Sequence, residues 1–181
     1  MADLATARSA PWVAASTLFE ILPPATRYSL RGGSDVRAAA ERAFGARPEA
    51  SACRAGVLGA RAALWLGPDE WLLLAPEADG ATLAPALAAA LSQLPHSLVD
   101  VSHRQCAFRI AGPRAATLLA AGCPLDLDVG AFPTDMCTRT VLAKAEIVLW
   151  RTGAEAFRVE VWRSFAAYLS QFLVEAGRGI I

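Results

Sequence analysis

Asp100-Val-Ser-His-Arg104 runs through Gln105 into Cys106-Ala-Phe-Arg-Ile110-Ala-Gly-Pro113, and this stretch decides how the chain folds. Cys106, Phe108 and Ile110 alternate with other residues, the period of a strand with one buried face. Gly112-Pro113 stops that strand, and proline's fixed φ presets the first turn of a helix. The helix covers Arg114–Ala121 and ends at Gly122. Strand, stop and small-residue helix follow one another without slack, which is the grammar of an α+β domain.

Working outward, Cys137–Leu142, Ala145–Trp150 and Phe157–Trp162 read as strands, the last two joined by Arg151-Thr-Gly-Ala-Glu155. Phe165, Tyr168, Leu169 and Phe172 form the apolar stripe of a terminal helix. Upstream, Arg27-Tyr-Ser-Leu-Arg31 alternates as a short strand and Gly32-Gly33 turns the chain. Ser34 is placed to cap a helix over Asp35–Phe44, with Gly45 at its C-terminal stop. Ala63-Leu-Trp-Leu66 and Trp71-Leu-Leu-Leu74 flank Gly67-Pro-Asp-Glu70 as a hairpin. Leu83, Leu87, Leu91 and Leu94 then fall at helical spacing, with Pro85 expected in the first turn. Strand–helix–hairpin–helix thus occurs twice. The expectation is an α+β fold of two similar halves, about 26–96 and 97–178, with antiparallel-rich sheets covered by helices. Residues 1–25, with Pro11, Pro23 and Pro24, read as an N-terminal arm before a domain spanning 26–181. Trp12, Leu18 and Phe19 are too apolar for open water, so the arm is expected to dock on its own domain or on a partner chain.

Of the 181 residues, 55% are apolar and only 19% charged, enough to bury roughly 70% of the unfolded surface. Alanine supplies much of the apolar excess, and no window approaches the roughly 20 apolar residues of a membrane helix. The first residues lack the hydrophobic core of a signal peptide, and the expected location is cytoplasmic. Lys+Arg and Asp+Glu balance at 17 each, so no basic field exists to hold nucleic acid or a membrane surface. Cys53, Cys106, Cys123 and Cys137 form no C-x-x-C pair, and only His96 and His103 are available beside them. That is no zinc set. Reduced thiols are expected, with Cys106 a small buried hydrophobe.

Chemistry-bearing residues are few. His103-Arg104 at the entrance of the strand places a titratable ring beside a fixed guanidinium. It reads either as a contact for a ligand or partner, or as a hydrogen-bonded turn beside a salt-bridged arginine. Asp100, Ser102 and His103 contain the residue types of a hydrolase triad, but near-consecutive residues cannot adopt that geometry. Asp126 and Asp128, two apart in a loop, face one side if the segment is extended, or are simply exposed. The dinucleotide and P-loop glycine patterns are absent, so no catalytic, cofactor or metal residues are assigned. Trp65, Trp71, Trp150 and Trp162 fall on strands. Trp162 has the phase opposite to Phe157, Val159 and Val161, which turns it outward beside Arg158 and Glu160, unless a loop or the terminal helix covers it. The candidate partner or ligand contacts are therefore Trp162, Arg158, His103, Arg104, Trp12 and Phe19.

The opening stretch, taken with Cys123-Pro-Leu-Asp-Leu-Asp128, Cys137-Thr-Arg-Thr140, Lys144-Ala-Glu146 and Phe157-Arg-Val-Glu-Val-Trp-Arg-Ser-Phe165, resembles the gamma subunit of heterotetrameric sarcosine oxidase. That family is a small relative of the folate-binding glycine-cleavage T-protein. The resemblance runs from Leu98 to Glu175 and, more weakly, from Arg61 to Leu94. It implies a T-protein-like fold and a non-catalytic chain, without a cofactor, in an assembly that oxidises sarcosine to glycine. Its alpha, beta and delta partners are implied to carry FAD, FMN, NAD, zinc and tetrahydrofolate. In the T-protein family an Asn-Asp pair follows the helix corresponding to Arg114–Ala121, and the aspartate acts at the folate. Gly122-Cys123 stands there in this chain, with Asp126 the nearest carboxylate, a departure that argues against folate catalysis. The alternative is a free-standing small tetrahydrofolate-binding protein of one-carbon metabolism. A third reading is a self-associating domain.

Overall fold

The computed structural model describes residues 19–180. Among them the first half comprises β1 (Phe19–Ile21), β2 (Ala25–Gly32), α1 (Ser34–Phe44), β3 (Ala55–Leu58), β4 (Arg61–Gly67), β5 (Glu70–Pro76), α2 (Gly80–Leu91) and β6 (His96–Asp100). The second comprises β7 (Gln105–Ala111), α3 (Ala115–Ala120), β8 (Cys137–Leu142), β9 (Ala145–Gly153), β10 (Ala156–Trp162) and α4 (Ala166–Arg178).

Two five-stranded sheets form, in the orders β3-β4-β5-β2-β6 and β1-β7-β10-β9-β8. All pairings in them are antiparallel. The run β3-β4-β5-β2 in one sheet is repeated as β8-β9-β10-β7 in the other, each with two helices at matching places in the chain. The expected α+β architecture of two similar halves is the one observed. One strand breaks the symmetry: β1 precedes β2 in the chain yet pairs with β7, Phe19 opposite Ile110.

The sheets stack face to face, with helices on both outer sides. Alternation turns the buried strand residues toward three cores. Tyr28, Leu30 and Leu73 meet Val36 and Phe44 of α1 and Leu83 and Leu87 of α2. Phe108, Leu149 and Val159 meet Leu118 of α3 and Leu169 and Leu173 of α4. Between the sheets lie Leu64, Leu72, Leu74, Val101, Cys137 and Val148. The central strands β4, β5, β9 and β10 therefore bury residues on both faces, which is why so few charges serve a chain of this size. Each such Leu contributes about 1.5–3 kcal/mol.

Four expectations are corrected. The arm ends sooner than residue 25: Phe19–Ile21 is a strand, and Phe19, 6% exposed, stacks at 6.0 Å on Phe108 inside the domain. Ser34 is the first residue of α1 and not its cap; the cap position is Gly33, with no side-chain hydrogen bond. Pro85 lies inside α2 and not in its first turn. The helix starts earlier because β2 secures the preceding 3-10 turn: Thr26 Oγ1 donates to Glu77 O at 3.2 Å and Tyr28 Oη to Gly80 O at 3.3 Å. In α4 the buried stripe is Ala166, Leu169, Ser170, Leu173 and Gly177, while Phe165 and Tyr168 are exposed and pack edge to face on each other. Trp12 lies outside the described residues.

Candidate functional site

Polar alternation along β2 and β10 turns charges toward the gap between the sheets. Arg27 of β2 donates through Nε to Glu160 Oε2 of β10 at 2.6 Å, and both side chains are sealed from water, 1% and 0% exposed. Arg158, two residues back on the same face, adds an Nε bond to Glu160 Oε1 at 2.8 Å. Its Nη2 approaches that oxygen to 2.7 Å but is too misaligned for a hydrogen bond. The expectation that Arg158 and Glu160 face out is therefore overturned. The face they share is covered by the second sheet, and a complementary charge on β2 makes that burial tolerable.

A second cluster repeats the stoichiometry farther along the gap. Glu70, the first residue of β5, is 6% exposed and accepts from Arg31 at 2.6 Å and from both Nη atoms of Arg139 on β8, Nη1 at 3.0 Å. The Arg139 bonds, helped by Arg31 and opposed by burial, hold its carboxyl below the usual range. Each cluster thus contains two guanidinium groups and one carboxylate.

Beside these clusters the sheets splay into a cleft of about 520 Å³. Its walls include Leu66 and Leu72 from one sheet and Val148 from the other, with Trp162, 46% exposed, at the rim. Arg104 stacks over the Trp162 ring at 5.1 Å. The turn carrying it is braced by Arg163, whose backbone N–H donates to Arg104 O at 3.0 Å and whose Nη1 donates to His103 O at 3.3 Å. The structure therefore brings Arg104 and Trp162 together at the cleft mouth, with His103 in the adjoining turn, and leaves Arg158 and Phe19 elsewhere. Gln105 lies directly opposite Trp162 across β7 and β10, and its Oε1 is buried without a donor.

The remaining candidates are local structure. Ser102 Oγ accepts from Arg27 N–H at 2.8 Å, and Ser102 N–H donates to Asp100 Oδ1 at 2.8 Å, so both residues brace the turn between the sheets. Asp126 and Asp128 each accept a backbone N–H two residues on, at 2.9 and 2.8 Å. Arg151, buried over the Phe157 ring at 4.3 Å, donates to the carbonyls of Leu127 and Ala154 and secures that loop. Burial lowers its pKa, and Asp128 opposes the shift. Burial, reinforced by the charge of Glu160, raises the Cys106 thiol to about 11. Burial also raises Cys137 to about 12, and both stay protonated and unreactive at neutral pH. Among the described residues no three His, Cys, Asp or Glu side chains gather as a metal site. The charged side chains lining the cleft balance, Arg104 and Arg139 against Glu70 and Glu146. Sequence reasoning missed Arg27, Glu70, Gln105 and Arg139; the available signal was matching charges at one alternation phase in both halves.

Residues 33–178 match the model of the sarcosine oxidase, gamma subunit family. The sarcosine oxidase subunit gamma of Corynebacterium sp. (strain U-96) is 37% identical over 181 residues, covering 97% of this chain and 87% of that one. Its counterpart from Corynebacterium sp. (strain P-1) is 36% identical over 155 residues, covering 84% and 75%. Among solved structures, the heterotetrameric sarcosine oxidase of Corynebacterium sp. U-96 in complex with pyrrole 2-carboxylate superposes with a TM-score of 0.82 at 32% identity. That match covers 87% of this chain and 82% of the other. Glycine cleavage system aminomethyltransferase T from Bartonella henselae gives a TM-score of 0.65 at 12% identity, over 86% of this chain and 45% of its own, a likeness of fold alone.

Proposed function

This chain belongs to the sarcosine oxidase gamma subunit family, and from that premise we propose that it is the non-catalytic gamma subunit of a heterotetrameric enzyme. The enzyme oxidatively demethylates sarcosine to glycine. The observation that carries the reading is the superposition on a chain of the Corynebacterium complex over most of both lengths. Alpha, beta and delta chains complete the assembly and carry FAD, FMN, NAD, zinc and tetrahydrofolate, while the gamma chain works by docking. A cytoplasmic setting accords with four free thiols.

The docking surface in this reading centres on Trp162, with Arg104 stacked on it and the His103 turn beside it. A half-exposed tryptophan under a guanidinium is the type of anchor that dominates interface energies. Arg158 acts behind the surface, through Glu160. In this reading Gly122-Cys123 stands where the T-protein family carries its Asn-Asp pair, and Cys123 is buried in the core with residues of α3 and α4. The likeness to T-protein is in fold alone, so it lends no support to a folate site.

Co-expression with the alpha, beta and delta chains of a sarcosine oxidase tests the reading. The expected result is one stoichiometric complex on gel filtration that oxidises sarcosine. Gamma eluting alone, beside a fully active complex lacking it, overturns the assignment.

A further inference from the structure

The reading of this chain as a docking subunit leaves open what enters the cleft beside Trp162, and resting on that reading we infer that it receives a partner-chain segment bearing a carboxylate side chain. The first ground is charge. Glu160 is saturated by Arg27 and Arg158, and Glu70 by Arg31 and Arg139, so neither carboxylate is free for another cation. Each cluster keeps one surplus positive charge. Arg104 is in no ion pair with a described residue, and Glu146 is the unpaired acid on the lining. Arg104 is thus the guanidinium on the lining that still has no carboxylate partner.

The second ground is geometry. Arg104 lies over the Trp162 ring, and its side-chain N–H donors bond no described residue, which leaves the fork that takes a carboxylate in two parallel bonds. Behind it the Gln105 amide is 8% exposed, with an oxygen that meets no donor. A polar side chain held there with idle hydrogen-bonding capacity costs stability unless something completes it. A backbone N–H of an inserted segment does so.

The third ground is shape. Small-molecule sites enclose most of their ligand. Here the rim is open, with Trp162 46% and Val141 39% exposed beside the apolar walls. An open trough with apolar sides, an unpaired guanidinium and an idle amide suits a stretch of polypeptide with an acidic residue.

The test uses the co-expressed oxidase and the variants Arg104→Glu and Arg104→Gln. Arg104 is exposed, so both variants are expected to keep the unfolding midpoint of the isolated chain. Arg104→Glu is expected to weaken assembly by about thirtyfold or more at low salt, and Arg104→Gln by less. In the wild-type complex the amides of 104–107 and 140–147 gain protection from hydrogen exchange. Assembly of Arg104→Glu at wild-type affinity, or cleft amides that exchange equally fast free and assembled, overturns the inference and leaves the subunit function standing. Failure of the wild-type chain to assemble removes both. Protection of the same amides by millimolar succinate on the isolated chain, with none from the partner, overturns it in favour of a small-acid pocket.

Discussion

Arg27 on β2 and Glu160 on β10 meet at 2.6 Å with both side chains sealed from water, and this pair joins one sheet to the other. Removing one member leaves the other charge buried without its partner, a loss of about 3–5 kcal/mol. Arg27→Met and Glu160→Gln are each expected to destabilise the chain on that scale in urea unfolding. The double variant Arg27→Met/Glu160→Leu should recover much of the loss, because Arg158 is nearer to water, 19% exposed. Single variants that cost nothing would show that the pair is dispensable.

Glu70 makes an acid limb. Its folded pKa is lowered chiefly by the Arg139 bonds, so its contribution is present above the ordinary value of 4.5. That contribution is lost as pH falls from there through the lowered folded value. Unfolding midpoints measured on either side of pH 4.5 should decline on the acid side, and Glu70→Gln should flatten that decline.

Cys137 makes an alkaline limb. Its thiol ordinarily ionises near 9.0, and burial raises it to about 12 in the fold. The unfolded chain therefore loses this proton first, and stability declines as pH rises from 9.0 toward about 12. Cys137→Ala should reduce the decline. A thiol reagent at neutral pH is expected to reach Cys137 only when the chain unfolds.

Phe19 and Trp162 should separate packing from docking. Phe19→Ala empties a buried site against Phe108, at a loss of about 3 kcal/mol in the isolated chain. Trp162→Ala should alter the isolated chain by under about 1 kcal/mol. It should weaken assembly by roughly thirtyfold, measured by co-purification and gel filtration. Unfolding of the isolated Trp162→Ala chain would make Trp162 a packing residue.

Elements that bury one continuous apolar row were readable from the sequence: β8 matches its expected bounds, and β7, β10 and α1 differ by a residue or so at their ends. Phe19–Ile21 was not, because three residues carry no period and their partner lies on β7. Nor were β3 and β6 singled out, since as edge strands they bury little and Val57, Leu58 and Val99 stay exposed. Trp162 and Arg104 were identified from alternation and turn position, but their contact was not, since it depends on how β10 and the turn before β7 meet in space. The deepest misreading concerned Arg158 and Glu160. Alternation places polar residues on the face opposite the core, and only a second sheet on that face turns exposed charge into a buried pair.

The short β1 also bears on how the chain is made. Chain synthesis delivers β2 through β6 together, so the first sheet can close once Asp100 has emerged. Phe19–Ile21 has no place in that sheet and must wait for β7, whose Arg109 meets Glu20 at a separation of 89 residues. The earliest described residues on the ribosome are thus among the later ones to find their neighbours. A tag or truncation reaching β1 accordingly exposes an edge of the second half and leaves the first half's sheet complete.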